Sequence, residues 1–225
     1  MKGPAARLIV GLAFLAAMLP AGASLQARGV SFPTADGGRV SADLYGQGRR
    51  GVVLAHGAAF DKESWAPLAV RLAAKGYRVL AIDFRGYGQS RAGTKAGGLD
   101  QDVLAAVRYL HGQGATAVSV IGASMGGGAA AEAAVEAHRG EINRLILLSP
   151  VPVDDPAGLN AGSVLFVASR NEGLAPAISE QYQRAPEPKK LVFLNGNAHA
   201  QNIFNTDQAE PLTRIILQFL GGDAK

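Results

Sequence analysis

Cysteine is absent from this 225-residue sequence. Its absence excludes disulfide bridges, thiolate metal sites and a cysteine nucleophile. A domain of roughly 200 residues can rely on its hydrophobic core instead of disulfides, and 48% of the residues are hydrophobic. The sequence therefore predicts a folded protein whose chemistry depends on residues other than cysteine.

Charged residues are also few, at 18% of the sequence. The basic residues form no run of the kind that binds nucleic-acid phosphates. The formal net charge of the whole chain is +4. Over residues 28–225 the sequence has 20 basic and 18 acidic residues, which leaves a net charge of only +2. Nucleic acid is therefore not a predicted partner.

A long hydrophobic run is missing as well. The most apolar segment, residues 8–19, is well short of the ~20 residues that span a bilayer. Two basic residues precede this segment, Pro20 ends it, and the small residues Ala21-Gly22-Ala23 follow. We interpret residues 1–27 as a secretory signal peptide that is cleaved after Ala23 or after Ala27. We expect the mature protein to be exported, to the periplasm or out of the cell, without a stable membrane span.

Short apolar segments alternate with helical patterns across residues 28–225, which predicts one domain. The predicted strands are residues 30–32, 40–45, 51–55, 77–82, 117–121, 144–148, 164–168 and 190–194. The predicted helices are residues 64–75, 99–111, 124–140, 175–184 and 208–220. A hairpin followed by alternating strands and helices implies an α/β fold, in which two helical layers sandwich a mostly parallel, doubly wound sheet. Active sites of such sheets lie outside the carboxyl ends of the strands.

A glycine-flanked serine follows the strand at residues 117–121 and leads into an alanine-rich helix. In Gly122-Ala123-Ser124-Met125-Gly126, glycines stand two positions on either side of Ser124. A serine on such a strand-to-helix turn takes a strained conformation that exposes its hydroxyl, and only small neighbours fit beside it. The turn lacks the glycine spacing of a dinucleotide site. Ser124 is therefore the candidate nucleophile.

This turn and three other segments resemble the α/β-hydrolase superfamily, and within it the small capless esterases and dienelactone hydrolases. The other segments are His56-Gly57-Ala58-Ala59-Phe60, which resembles the family's oxyanion loop, Asp83-Phe84-Arg85-Gly86-Tyr87-Gly88-Gln89-Ser90, and Asn197-Ala198-His199. The resemblance covers about residues 30–220 and keeps the motifs in the family's order. It implies a three-layer α/β/α sandwich with about eight strands and a catalytic triad of serine, acid and histidine.

Four histidines compete for the role of general base. His111 and His138 stand near the ends of predicted helices, where a surface or capping role is expected. His56 belongs to the segment that resembles the oxyanion loop. His199 lies between the last strand and the last helix, where the family has its catalytic histidine, and we assign the base to it.

The acid that orients His199 is expected between the serine and the histidine in the chain. Glu172 follows the seventh predicted strand, where the family usually has aspartate, and we assign the role to Glu172. Asp154 and Asp155 are the alternatives, because a minority of relatives carry the acid after the preceding strand.

The resemblance also implies an oxyanion hole made of two backbone N–H groups. The donors are assigned to Met125 and Ala58, with Ala59 as the alternative to Ala58. Asp83 and Arg85 are expected to brace their loop as an ion pair and not to act on the substrate.

The connection that follows the sixth predicted strand is too short for a helical cap, since only about a dozen residues separate Pro150 from Val164. An uncapped site suits small esters or the exposed end of a larger acyl compound. The sequence thus predicts an exported serine carboxylesterase that forms an acyl-enzyme with a small-molecule acyl substrate, with no cofactor and no metal. A peptidase, thioesterase or acyltransferase would use the same triad, and a non-catalytic binding module on this scaffold is a further alternative.

Overall fold

The computed structural model describes residues 26–222 of the chain. Its strands are β1 (Arg28–Pro33), β2 (Arg39–Tyr45), β3 (Arg50–Ala55), β4 (Tyr77–Ile82), β5 (Ala117–Ala123), β6 (Arg144–Leu148), β7 (Val164–Ser169) and β8 (Lys189–Leu194). Its α-helices are α1 (Ala66–Ala74), α2 (Leu99–Gly112), α3 (Met125–Glu136), α4 (Ala175–Arg184) and α5 (Ala209–Gly221). The predicted signal peptide lies outside the described residues, apart from Gln26 and Ala27.

The strands form one sheet of eight in the order β1-β2-β4-β3-β5-β6-β7-β8. The pairs β1–β2 and β2–β4 are antiparallel, whereas strands β3 to β8 run parallel to one another. The predicted hairpin and mostly parallel sheet are therefore confirmed. Because β4 lies on one side of β3 and β5 on the other, the loops after β3 and β5 lie side by side. Such a switch point is where α/β sheets bind their ligands.

Helices cover both faces of the sheet. Successive side chains of a strand point to opposite faces, so β3 contributes to two cores. Val53 and Ala55 enter the core beneath α2, α3 and α4, whereas Val52 and Leu54 enter the core beneath α1 and α5. This arrangement confirms the three-layer sandwich. Among residues 26–222, no helix has the length and hydropathy needed to cross a bilayer.

The connection between β6 and β7, residues 149–163, contains one 3₁₀ turn, Pro156–Gly158. The Asp155 carboxylate accepts a hydrogen bond from the Gly158 N–H at 3.1 Å and closes this turn. The described part of the chain thus has no helical cap over the carboxyl ends of the strands, as predicted.

The clearest differences between the elements and the sequence pattern concern three helical segments. A 3₁₀ turn at Lys62–Trp65, capped by Asp61, precedes α1, so this helix begins later than predicted. Helix α3 ends at Glu136 because Ala137 is already extended. A 3₁₀ helix at Ala200–Asn205, which the pattern does not indicate, directly follows the last predicted site residue.

Candidate active site

Ser124 lies on the sharp turn between β5 and α3, at the carboxyl end of a central strand. Its backbone has φ of +52° and ψ of −114°, which residues other than glycine rarely adopt. Such strain persists only where the surrounding structure holds it. Here the Ser124 N–H donates to the Leu148 oxygen at 2.9 Å, and its carbonyl accepts from the N–H groups of Gly127 and Gly128 at 2.9 and 3.0 Å. The turn therefore presents the hydroxyl from a firmly held backbone.

Glycine is required on both sides of this turn. A Cβ at Gly122 would overlap the carbonyl oxygen of Gly126, and a Cβ at Gly126 would overlap the carbonyl oxygens of Ala55 and His56. These obstructing atoms belong to the backbone, so they cannot rotate out of the way as a side chain would. The glycine spacing in the sequence thus reflects the close packing of α3 against β3 and β5.

His199 follows β8 and lies between Ser124 and Glu172. Its Nε2 is 2.8 Å from Ser124 Oγ, and its Nδ1 is 2.6 Å from Glu172 Oε2. In the neutral ring, an Nδ1–H that donates to the carboxylate leaves Nε2 to accept the serine proton. The Glu172 side chain is 2% exposed and that of His199 is 39% exposed. The three residues predicted from the sequence thus form one chain of hydrogen bonds that begins in the interior and reaches the surface.

The Glu172 carboxylate accepts two further hydrogen bonds in addition to that of His199. Its Oε1 accepts from the N–H of Ser169 at 2.8 Å and from the hydroxyl of Ser149 at 2.6 Å. A buried carboxylate stays charged only where donors compensate for its lost hydration. The loop after β7 therefore accommodates the extra methylene of glutamate, and Ser149, Ser169 and His199 together supply donors to both carboxylate oxygens.

Ser149, directly after β6, is a site residue that the sequence motifs do not identify. It has φ of +42°, and its Oγ accepts a hydrogen bond from the N–H of Ala200 at 3.0 Å while its proton goes to Glu172. Ser149 thus connects the acid to the residue that follows His199. Its position just after a central strand is the only signal in the sequence that points to it.

The other candidates for base and acid lie elsewhere. Asp154 and Asp155 are exposed, and within residues 26–222 neither pairs with His199. The ring nitrogens of His111, near the end of α2, lie 3.1 and 3.0 Å from the backbone carbonyl oxygens of Ala115 and Glu141. His138 is exposed after α3. The structure therefore brings Glu172, and no aspartate, against the histidine.

Two backbone segments beside Ser124 carry unpaired donors. Within residues 26–222, the N–H groups of Met125, Ala58 and Ala59 donate no hydrogen bond to another group. Met125 is the first residue of α3, where the helix dipole is positive. These N–H groups are the predicted oxyanion donors, and the N–H of either Ala58 or Ala59 is free to act as the second donor within residues 26–222.

His56 braces the predicted oxyanion loop, residues 56–60, from the interior of the protein. Its Nδ1–H donates to the Gly57 oxygen at 2.9 Å, and its Nε2 accepts from the N–H of Phe84 at 3.3 Å. Burial lowers the pKa of this imidazole and so favours the neutral ring. On the outer side, the Tyr87 hydroxyl donates to the Ala58 oxygen at 2.9 Å. The loop is thus held from two directions, and His56 is a structural residue.

Asp83 and Arg85 brace their loop, but the prediction that they form an ion pair with each other is wrong. Arg85 pairs with Asp102 of α2 and with Asp36 of the hairpin loop, at 2.8 Å in each case. The Asp83 carboxylate lies 3.2 Å from the Lys62 ammonium group. The hydrogen bonds from Arg85 hold the pKa of Asp36 well below its usual range. Each side chain therefore ties its loop to a different part of the fold.

The described residues offer the groups that acyl transfer needs. A hydroxyl, an imidazole, a carboxylate and unpaired N–H donors converge at one edge of the sheet. Within residues 26–222, no three His, Asp or Glu side chains are grouped as metal ligands would be.

Several known proteins are similar to this chain in sequence. A family model described as "Alpha/beta hydrolase family" matches residues 52–222. The dihydrolipoyllysine-residue acetyltransferase component of the acetoin cleaving system from Cupriavidus necator is 34% identical over 162 residues, which cover 70% of this chain but 42% of that protein. This chain therefore spans less than half the length of that relative. An uncharacterised protein from Mycobacterium tuberculosis is 29% identical over 212 residues, covering 81% of this chain and 74% of the other.

Solved structures show the same fold. An esterase from Pyrococcus furiosus has a TM-score of 0.75 at 20% identity and covers 88% of this chain and 92% of its own. An esterase from Exiguobacterium antarcticum has a TM-score of 0.70 at 17% identity and covers 87% and 100%. At these identities the likeness concerns the fold alone. The family model, in contrast, spans most of the chain and includes Ser124, Glu172 and His199, and this protein therefore belongs to the alpha/beta hydrolase family.

Proposed function

We propose that this protein is a serine hydrolase, specifically a carboxylesterase that works through an acyl-enzyme. The observation that carries the proposal is the hydrogen-bonded chain from Ser124 through His199 to Glu172, with distances of 2.8 and 2.6 Å. A nucleophile within reach of a base, and a base oriented by a carboxylate, are what nucleophilic acyl transfer requires. The proposed reaction uses no cofactor.

In the first half of the reaction, Ser124 Oγ attacks the ester carbonyl carbon while His199 Nε2 takes the hydroxyl proton. The new C–O bond produces a tetrahedral intermediate whose negative charge rests on the former carbonyl oxygen. Glu172 stabilises the imidazolium through its bond to Nδ1–H. The bond to the alcohol oxygen then breaks, and the proton on Nε2 passes to the departing oxygen.

In the second half, a water molecule attacks the acyl carbon on Ser124, and His199 takes the proton of that water. The second tetrahedral intermediate collapses by breaking the bond to Ser124 Oγ, which recovers its proton from Nε2. One ester and one water thus yield one carboxylic acid and one alcohol, and the enzyme returns to its starting state.

We assign stabilisation of both intermediates to the N–H groups of Met125 and Ala58, with Ala59 as the alternative to Ala58. All three donors are unpaired within residues 26–222. An N–H group placed against the developing oxyanion favours the intermediate over the substrate, and losing one such donor lowers the rate by roughly 10²–10³.

Small esters, or the exposed acyl end of a larger compound, are the proposed substrate class. The connection between β6 and β7 carries no α-helix, and 39% of the His199 side chain is exposed. An open site of this kind gives little binding energy to a long acyl chain. We expect kcat/KM to be highest for short chains in a series of p-nitrophenyl esters, and a preference for long chains would contradict this substrate class.

The decisive test is Ser124→Ala with p-nitrophenyl acetate as substrate. We expect turnover to be lost while circular dichroism stays unchanged, because only the attacking oxygen is removed. Ser179→Ala, on the surface helix α4, is the matched control and should keep full activity. A fluorophosphonate probe should label the wild type and not Ser124→Ala. Full turnover by Ser124→Ala would remove Ser124 from the mechanism, and a wild type that neither turns over nor reacts would support a non-catalytic binding module.

Acyl transfer to an acceptor other than water is a second candidate, favoured by the 34% identity to a protein named as an acetyltransferase component. The same acyl-enzyme would form, and an alcohol, amine or thiol would replace water in the second half. Adding N-acetylcysteamine or butanol during turnover separates the two reactions. Acid as the main product supports the esterase, and transfer product at low acceptor concentration supports the transferase. Amide and thioester substrates in the same assay distinguish a peptidase or thioesterase.

We also propose that the protein is exported. The support is the composition of residues 1–27, with a basic start, a short apolar run and small residues at Ala21-Gly22-Ala23. Expression of the full chain in a Gram-negative host, followed by mass spectrometry, should show a mature protein that begins at Ser24 or Arg28. A secreted or periplasmic fraction that still carries Met1 would contradict cleavage.

A further inference from the structure

A buried amide side chain holds the oxyanion loop. Gln201, two residues after His199, is 4% exposed. Its Oε1 accepts the N–H of Gly57 at 2.7 Å across 144 residues of chain, and its Nε2 donates to Ser64 Oγ at 2.8 Å. One side chain therefore connects the histidine segment, the oxyanion loop and the 3₁₀ turn before α1.

The partners of Gln201 determine which way its amide faces. The Gly57 N–H can only donate, so the amide oxygen must face it. The Ser64 hydroxyl gives its proton to the Asp61 carbonyl at 2.5 Å, so its oxygen is left to accept from the amide nitrogen. Reversing the amide would set a donor against a donor at Gly57. The arrangement thus has one satisfied orientation, which makes the contact to Gly57 specific.

The bond to Gly57 affects the geometry of the proposed oxyanion hole. It occupies the Gly57 N–H, whereas the next N–H, that of Ala58, donates to no group within residues 26–222. Gly57 also packs against the nucleophile, since a Cβ on it would lie 3.4 Å from Ser124 Cβ and 3.5 Å from Gln201 Oε1. A loop that moved away from Gln201 would carry its donors away from Ser124. Misplacement by about 1 Å in a catalytic site can lower the rate by roughly 10².

We propose that Gln201 is a positioning residue that holds the oxyanion loop against Ser124 and couples this loop to the segment that carries His199. Gln201 acts through Gly57 and does not contact the substrate. The inference rests on the proposed esterase function and extends it with a residue beyond the triad and the oxyanion donors.

The test variant is Gln201→Met, which keeps the length of the side chain and removes the acceptor. A smaller residue is less suitable, because Gln201 also lines a recess of about 430 Å³ beside Phe60 and Phe204 that truncation would enlarge. We expect kcat for p-nitrophenyl acetate to fall by about 10- to 100-fold, with KM within about twofold. The affinity for phenylboronic acid, whose adduct on Ser124 mimics the tetrahedral intermediate, should fall by the same factor.

Ser64→Ala is the matched control, because it removes the partner of the Gln201 nitrogen and leaves the bond to Gly57. We expect kcat of Ser64→Ala to stay within about threefold of the wild type. Thermal unfolding of both variants shows whether the fold is intact. If Gln201→Met does not fold, Gln201→Leu takes its place with the same two measurements.

Three results would overturn the positioning role: unchanged kcat and boronate affinity in the folded Gln201 variant, a loss confined to KM, or equal losses in Ser64→Ala. These results differ from failure of the proposed function itself. The latter would appear as a wild type without esterase activity, or as activity that survives Ser124→Ala.

Discussion

The hydroxyl of Ser149 lies 2.6 Å from Oε1 of Glu172, and the Ser149 oxygen accepts the N–H of Ala200 at 3.0 Å. One buried side chain therefore holds both the carboxylate and the residue next to the histidine. Buried polar groups that are all satisfied make a site more rigid than their separate bonds suggest. The orientation of His199 thus depends on a serine that never reaches the substrate side of the ring.

Removing the Ser149 hydroxyl should impair catalysis without destroying the fold. We expect Ser149→Gly to lower kcat/KM by about 10-fold, because Glu172 loses a donor and the N–H of Ala200 loses its acceptor. Ser149→Ala should lose a similar amount of activity but be about 0.5–1 kcal/mol less stable than Ser149→Gly, since φ of +42° disfavours a side chain. Steady-state kinetics and urea denaturation measure the two effects. Wild-type activity in Ser149→Gly would refute this role.

Replacing the Glu172 carboxylate tests the assignment of the acid. Glu172→Gln keeps the shape but removes the charge that stabilises the imidazolium, so we expect kcat to fall by about 10²–10⁴. Asp154→Asn and Asp155→Asn, which alter exposed carboxylates, should retain wild-type kcat. The measurement is ester hydrolysis by the three purified variants at one pH. Loss of activity in an aspartate variant, with Glu172→Gln still active, would reverse the assignment.

The packing of the turn predicts a severe effect at Gly126. A Cβ there would overlap the carbonyl oxygens of Ala55 and His56. We expect Gly126→Ala to lower the free energy of unfolding by about 3 kcal/mol and to abolish activity. Gly112→Ala at the end of α2 is the control, because a Cβ at Gly112 meets no atom within 4 Å. Calorimetry should show a lower Tm for Gly126→Ala and an unchanged or higher Tm for Gly112→Ala.

The ion pairs of Arg85 predict how stability depends on pH. Because hydrogen bonds from Arg85 lower the pKa of Asp36, this carboxylate stabilises the fold above its unfolded-state pKa of about 3.9, and the contribution is lost as pH falls toward the folded-state pKa. We expect Asp36→Asn to lower the free energy of unfolding by about 2 kcal/mol at pH 7. The difference in free energy of unfolding between variant and wild type should shrink below about pH 4.

Denaturant titrations at pH 7, 4 and 3 measure this difference for Asp36→Asn. Glu210→Gln, which breaks an exposed pair with Arg71, is the control and should leave stability unchanged at each pH. A difference for Asp36→Asn that stays constant from pH 7 to pH 3 would show that the Asp36 charge is not its source.

Residues whose positions depend on a contiguous stretch of chain were predictable from the sequence. Ser124 stands between a strand and a helix with glycines at the required spacing, and Glu172 and His199 each follow a strand. Parallel strands place all three positions at one edge of the sheet. The eight strands were predictable for the same reason, because their apolar runs are local signals.

Residues whose partners lie far along the chain were not predictable. Gln201 bonds to a residue 144 positions away, and Ser149 to one 51 positions away, so no short motif contains either pair. Arg85 shows how closeness in sequence misleads. Asp83 is two residues away but faces Lys62, whereas Asp36, at a separation of 49 residues, holds the guanidinium.

The 3₁₀ turn at Pro156–Gly158 lies in a surface loop and takes no part in the hydrogen bonds that hold Glu172 and His199. Lengthening such a loop costs little closure entropy, about 0.6 kcal/mol for each doubling of its length. A helical segment inserted at this turn would cover the carboxyl ends of the strands, and the strands themselves would not move. A single insertion would thereby enclose the proposed acyl site in a tunnel, and the triad side chains would stay the same.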